Sequence, residues 1–334
     1  MFEAPTRLSG LLRALGRLLL LLAALLAAEG LSRVFFHFVE NYNVEMWKYA
    51  RLLKEPVNDA RSFVQRPGAS ARIMGVSVKI NSYGFRSPEI AVQKPPNVCR
   101  ILVLGDSMTM GFGVPEAATF PSLMERALNA RRGGGCRYQV INAGVGNYNT
   151  AQELASWEIA GRTLHPDLVL LAFYINDAEP TPKNHAGFLT THSVLWTCLK
   201  GAVEDVRVLL DPKGTGYVGY YRGLYKGRRW TRYKKILLNV IRESRRENTP
   251  LSVIFVPDLH DLAHYPFNDI DGKISRYFKR AGIQAIDCRS AFQGETKPKM
   301  FWVAPDDSHP NAAAQRRLAE CILNRLALPP ACAP

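Results

Sequence analysis

The sequence predicts an α/β protein with a doubly wound parallel sheet, carried behind an N-terminal membrane helix. Short apolar runs of strand length, at 101–105, 140–144, 168–174, 251–256 and 283–287, alternate with amphipathic helical stretches through residues 97–334. That alternation is the pattern of βαβ units. The first run, Ile101 to Gly105, is apolar rather than alternating, as strands covered on both faces are. At the other end of the chain, Leu18 to Ala28 is an uninterrupted run of Leu and Ala.

Arg7, Arg13 and Arg17 precede that run. Counted from Leu11 to Ala28, the segment approaches the roughly 20 residues a spanning helix needs, with Arg13 and Arg17 reaching toward the headgroups. A cleaved signal peptide is the competing reading, but Leu25 and Leu26 stand where a small residue is wanted for cleavage. Residues 1–40 are read as an uncleaved signal anchor, its helix at about 11–28. Arginines on the N-terminal side predict that the rest of the chain is exported.

The composition is that of a globular protein, with 22% charged and 47% hydrophobic residues. A net charge of +14 over 334 residues implies attraction to anionic surfaces such as phospholipid headgroups or acidic glycans. No nucleic-acid motif accompanies it, so nucleic acid is not an expected partner. The six cysteines have no metal-ligand spacing, and neither metal nor cofactor is expected. Cys99 and Cys136 each stand just before a predicted strand; a bridge between them is one reading and free thiols the other.

Residues 41–96 read as a membrane-proximal stalk that packs on the domain edge. Trp47 to Leu53 continues a helix, Pro56 and Pro67-Gly68 break it, and 76–80 alternates like a strand. Pro95-Pro96 marks the boundary to the main domain. Beyond it, helices are predicted at 120–131, stopped by Gly133-Gly134-Gly135, and at 149–164, capped by Asn149 or Thr150. Residues 178–227 form a long insertion, read as irregular and placed to shape a substrate cleft. Its aromatics Trp196, Tyr217, Tyr220, Tyr221 and Tyr225 either line a sugar or acyl site or pin the insertion down. A basic helix at 228–247 turns Ile236, Leu237, Val240 and Ile241 to the core and its cations to solvent, where they could meet an anionic surface. Helices at 273–280 and 311–328 complete the domain.

Three strand ends and one late segment carry chemistry. Gly105-Asp106-Ser107 closes the first strand, where an open α/β sheet binds its ligands. The loop Val145 to Asn149 follows the second, and Asn176-Asp177 the third. Asp306-Asp307-Ser308-His309-Pro310-Asn311 precedes the last helix. A serine hydroxyl attacks an ester only when a base takes its proton. Of seven histidines, His309 has the best setting, because one tight turn from Asp306 would bring a carboxylate to its Nδ1. Asp307 is the rival for that role. His165, His185, His192, His260 and His264 have no comparable neighbourhood.

The four blocks Gly-Asp-Ser, Gly/Asn loop, Asn and Asp-x-x-His, in this order over about residues 75–328, resemble the SGNH (GDSL-type) hydrolase superfamily, in particular its membrane-anchored bacterial members. The string Asn81-Ser82-Tyr83-Gly84-Phe85-Arg86 is also similar to a segment those members carry ahead of the domain. The resemblance implies a flavodoxin-like order of about five parallel strands. It also implies a Ser107 nucleophile, a His309 base oriented by Asp306, and oxyanion donors from Ser107 N–H, the loop backbone and the Asn176 side chain. The second donor, usually a glycine N–H, falls on Asn147, the non-glycine type most tolerant of positive φ. Tyr174 stands where relatives often carry glycine. The expectation is a single-pass inner-membrane protein with a periplasmic serine esterase domain, acting on small O-acyl, chiefly O-acetyl, groups of a carbohydrate. An O-acetyltransferase using the same triad, and a catalytically silent anchored binding protein, are the alternatives.

Overall fold

Five strands make the central sheet: β1 (Val98–Leu104), β2 (Arg137–Asn142), β3 (Leu168–Phe173), β4 (Leu251–Phe255) and β5 (Gln284–Asp287). In the computed structural model, which describes residues 7–130, 136–182, 187–211 and 215–332, all five run parallel in the order β2-β1-β3-β4-β5. This is the flavodoxin-like order, and it reverses between β1 and β3, the place where such sheets open a crevice at their carboxyl ends. Ser107 follows β1 and Asn176 follows β3, so the topology alone brings those two blocks together.

β1 and β2 begin three residues before the apolar runs that signal them, because the ladder continues through Val98–Arg100 and Arg137–Gln139. Arg100 is fully buried, yet its guanidinium donates to Gln139 Oε1 at 2.7 Å, Leu164 O at 2.8 Å and Ala91 O at 2.5 Å. A buried cation with its donors satisfied is compatible with a core strand.

The longer helices are α1 (Arg7–Phe38), α2 (Tyr42–Leu53), α3 (Phe120–Ala130), α4 (Thr150–Ile159), α5 (Val194–Leu210), α6 (Thr215–Leu224), α7 (Gly227–Arg246), α8 (Asn268–Arg280) and α9 (Ala312–Leu323). α3 packs with α9 and α4 with α7, two layers that right-handed crossovers place on opposite faces of the sheet. Asn149 caps α4 and closes a capping box with Gln152. In α7 the buried stripe is Tyr233, Leu237, Val240 and Ile241. The triple-glycine stop after α3 lies outside the described residues.

Two expectations are corrected. The insertion is helical rather than irregular: Phe188–His192, α5 and α6 fall within it. Its glycines suggested loop, but the apolar positions of 194–210 recur every third or fourth residue, and that period decides. Two of its tyrosines are tied down, Tyr225 Oη donating to Ile175 O at 2.8 Å and Tyr217 Oη to Asp258 Oδ2 at 2.6 Å. Cys99 is bonded to Cys332, with Cα atoms 5.3 Å apart, and Cys136 is a half-buried free thiol. In the ladder Cys99 stands opposite Tyr138, leaving Cys136 beyond the strand, whereas the C-terminal segment returns to this sheet end and Tyr138 Oη donates to Cys332 O.

The chain divides into two compact units, Met1–Trp47 with Ala186–Leu210, and Lys48–His185 with Asp211–Pro334. Most of the stalk therefore belongs with the sheet, as two small hairpins, Lys54–Pro56 with Phe63–Gln65 and Ser70–Ile73 with Val76–Lys79.

Candidate active site

Ser107 opens a one-turn helix, Ser107–Met110, capped by Asp106, whose Oδ1 accepts from Met108 N at 2.9 Å. Gly105 has no room for a Cβ, which would run into Thr109, so the turn closes tightly on the strand end. The buried Arg86 secures the far side of this turn, donating to Met110 O at 3.0 Å, Gly111 O at 2.6 Å and Val114 O at 2.7 Å. Arg86 owes its place to Asn81, whose Oδ1 accepts from the N–H groups of Tyr83 and Phe85.

His309 reaches Ser107 from a short hairpin, Trp302–Ala304 with Asp307–Pro310. Its Nε2 lies 2.8 Å from Ser107 Oγ and its Nδ1 2.5 Å from Asp307 Oδ1. The same Oδ1 accepts from His309 N at 3.0 Å. The carboxylate at the imidazole is therefore that of Asp307, not of Asp306. Residues 307–310 are extended, and in a strand alternate residues share a face while neighbours oppose each other. Asp307 thus points with His309 and is buried, whereas Asp306 lies in the hairpin turn and is exposed.

Asn176 follows β3 in a turn of 3₁₀-helix. Its Nδ2 donates to Asp106 Oδ2 at 2.9 Å, so Asp106 holds the serine turn with one oxygen and the asparagine amide with the other. Burial raises the Asp106 carboxyl, against the opposing pull of the Met108 N–H and the Asn176 amide. Asp106 lies within the Gly-Asp-Ser block, but its cap on Met108 N and its reach to Asn176, 70 residues away, come from the fold.

Asn147 has φ 66°, the left-handed backbone that its residue type tolerates. The stalk holds its loop in place. Lys54 Nζ donates to Gly146 O at 2.6 Å and to Asn147 Oδ1 at 2.8 Å, its ammonium resting over the rings of Phe63 and Tyr49. Tyr49 Oη accepts from Gly146 N at 2.9 Å and donates to Gln65 Oε1 at 3.1 Å. Tyr148 Oη donates to Phe63 O at 2.6 Å. A Cβ on Gly146 would meet Tyr49 Cε1 at 2.6 Å, so only glycine admits this contact. Burial lowers the Lys54 ammonium to about 7. Nothing in the sequence signals Lys54, which is 92 residues from Gly146.

Of the aromatics near the site, Phe112 is buried with its ring 5.0 Å from that of His309. Tyr174 is turned toward β4, its Oη donating to Asp258 Oδ2 at 2.8 Å. Among the described residues the His/Cys/acid cluster with metal-ligand spacing is Cys99, Asp167 and Cys332, and its two sulfurs are bonded to each other.

Residues 103–317 match the model of the GDSL-like lipase/acylhydrolase family. The chain belongs to that family. It is thus a member of the SGNH hydrolase superfamily and a serine ester hydrolase. Among solved structures it is similar to TesA, at 18% identity and TM-score 0.43, covering 67% of this chain and 96% of that one. It is also similar to the acetyl xylan esterase AlAXEase, at 17% and 0.46, covering 68% and 100%. A catalytic mutant of Axe2, an acetylxylan esterase from Geobacillus stearothermophilus, gives 14% and 0.46, covering 69% and 94%. At TM-scores below 0.5, these likenesses leave the fold to rest on the sheet order and the family model. None of the curated proteins compared with it matches the chain.

Proposed function

We propose that this GDSL-like esterase is anchored in the bacterial inner membrane by α1 and removes small O-acyl groups, acetyl foremost, from a carbohydrate on the periplasmic side. The reading is carried by the continuous relay from Ser107 Oγ to His309 Nε2, 2.8 Å, and from Nδ1 to Asp307 Oδ1, 2.5 Å. In this scheme His309 takes the Ser107 proton as Oγ attacks the acyl carbon, and Asp307 stabilises the imidazolium. The tetrahedral oxyanion takes hydrogen bonds from the N–H of Ser107, the N–H of Asn147 and the amide of Asn176. Collapse expels the alcohol, which receives its proton from His309, and water then attacks the acyl-enzyme by the same route.

Phe112 supports a short acyl group, because a buried ring against the His309 imidazole occupies volume an extended chain would need. Export is supported by the apolar run of α1 and by the three arginines that precede it.

The test is labelling with a fluorophosphonate, followed by intact mass and by rates on p-nitrophenyl esters. One adduct is expected, lost in Ser107→Ala and in His309→Ala, with kcat/KM falling from acetate through butyrate to octanoate. Each methylene otherwise adds up to about 0.8 kcal/mol of burial, so a maximum at octanoate would move the substrate to lipids.

A further inference from the structure

The unit formed by Met1–Trp47 and Ala186–Leu210 leaves a large apolar surface uncovered. On α5 it is one stripe, Trp196, Leu199, Val203, Val206 and Leu210, at the three-and-four spacing of a single helix face. These side chains are 40–78% exposed. Phe188 and Leu189, just before α5, are 75% and 52% exposed. Lys200 and Arg207 lie along one edge of the stripe on the helix wheel, and Trp196 is the residue type that gathers at membrane interfaces.

The start of α5 is built onto α1. Glu29 accepts from Val194 N and Leu195 N, both at 3.0 Å, and from Ser193 Oγ at 2.8 Å. Arg33 donates to Glu29 at 2.7 Å and to His192 O at 2.6 Å. No other charged residue occurs between Arg17 and Arg33. The apolar surface of α1 continues past this point, with Leu31, Val34, Phe35 and Phe38 all exposed. An ionised carboxylate within an apolar helix needs a partner, and Glu29 takes the free N–H groups at the start of α5. The free energy of that contact goes into fixing one helix of the insertion against the anchor.

We infer that residues 187–210 form a second membrane contact: docked on α1 through Glu29 and Arg33, they turn Phe188, Leu189 and the α5 stripe into the outer boundary of the bilayer. The inference rests on the anchored reading above. The occupant is lipid, because the stripe begins at Trp196, the residue after those bonded to Glu29, and α1 exposes Leu25, Leu26, Leu31 and Val34 on either side of Glu29. The insertion then has a role apart from the ester-cleaving site.

The test uses the full chain in vesicles of phosphatidylcholine and phosphatidylglycerol, with the accessible thiols Cys136 and Cys198 replaced by serine. Nitroxides are placed singly at Phe188→Cys, Leu199→Cys, Val203→Cys and Val206→Cys, and collisions with oxygen and with a water-soluble nickel chelate are compared. Oxygen should dominate at all four. Dominance of the nickel chelate would overturn the inference. So would spin–spin broadening that vanishes on dilution with unlabelled chain, because a second copy would then cover the stripe. Glu29→Ala should raise nickel access at Val203→Cys severalfold while making α1 more apolar; no change would remove Glu29 from the docking. Resistance to alkaline carbonate extraction reads the anchor separately: a chain that washes off the vesicles overturns the anchored reading itself.

Discussion

At the scale of single residues, the site turns on which carboxylate meets His309. Asp307 and His309 share one face of an extended segment, and Asp307 Oδ1 accepts from both Nδ1 and the backbone N–H of the histidine. Asp307→Asn should lower kcat on p-nitrophenyl acetate by about 10³–10⁴-fold through the wrong imidazole tautomer. Asp306→Asn, in the exposed hairpin turn, should stay within about fivefold; the reverse ranking would return Asp306 to the relay. A second residue couples the fold to pH. Glu153 is buried in α4, and neither carboxylate oxygen has a hydrogen-bond partner among the described residues. Burial raises its carboxyl well above the usual range, and Asp177 and Asp106 push it the same way. The folded chain therefore holds a proton that the unfolded chain releases near pH 4. The associated stability is complete below that pH and is lost as pH rises toward the folded value. Glu153→Gln should match the parent at low pH and exceed it in Tm at pH 8, and thermal melts at pH 5 and pH 8 measure the crossover.

At the scale of elements, the proposed oxyanion loop is held by α2 and the stalk hairpin as well as by the end of β1, where Val145 N donates to Gly105 O at 3.0 Å. Lys54 fixes the Gly146 carbonyl, and in a planar trans peptide the Asn147 N–H must then point the opposite way. Under the proposed mechanism Lys54 is thus a positioning residue for that donor. Losing an oxyanion donor outright costs about 10²–10³ in kcat; loosening one should cost less. Lys54→Met is expected to lower kcat about tenfold with KM within about twofold, and Lys54→Arg to recover part of it. A change in KM alone would assign the lysine to substrate binding, and no change in either would show that the loop holds itself.

At the scale of the whole molecule, the Cys99–Cys332 bond joins the start of β1 to the C-terminal segment, 233 residues apart. Such a cross-link persists in oxidising compartments, in keeping with the proposed export. Removing a native disulfide typically costs about 2–5 kcal/mol. Cys332→Ser should therefore lower Tm by several degrees, and dithiothreitol should lower the parent to the same value without moving the variant.

Periodicity and strand-end chemistry in the sequence already determined the sheet class and the five strands, and they singled out Ser107, Asn176 and His309, which the fold gathers at one end of the sheet. Apolar runs of strand length and helix caps such as Asn149 with Gln152 are local properties, and local properties are written in consecutive residues. Tertiary structure decided what depends on direction or on distant partners. The choice of Asp307 over Asp306 follows from an extended backbone that the turn-like spacing concealed. Cys332 rather than Cys136 meets Cys99 because the C-terminal segment folds back onto β2. Lys54 reaches the Gly146-Asn147 loop, and Glu29 the start of α5, only through packing between segments far apart in the chain, which no spacing rule records.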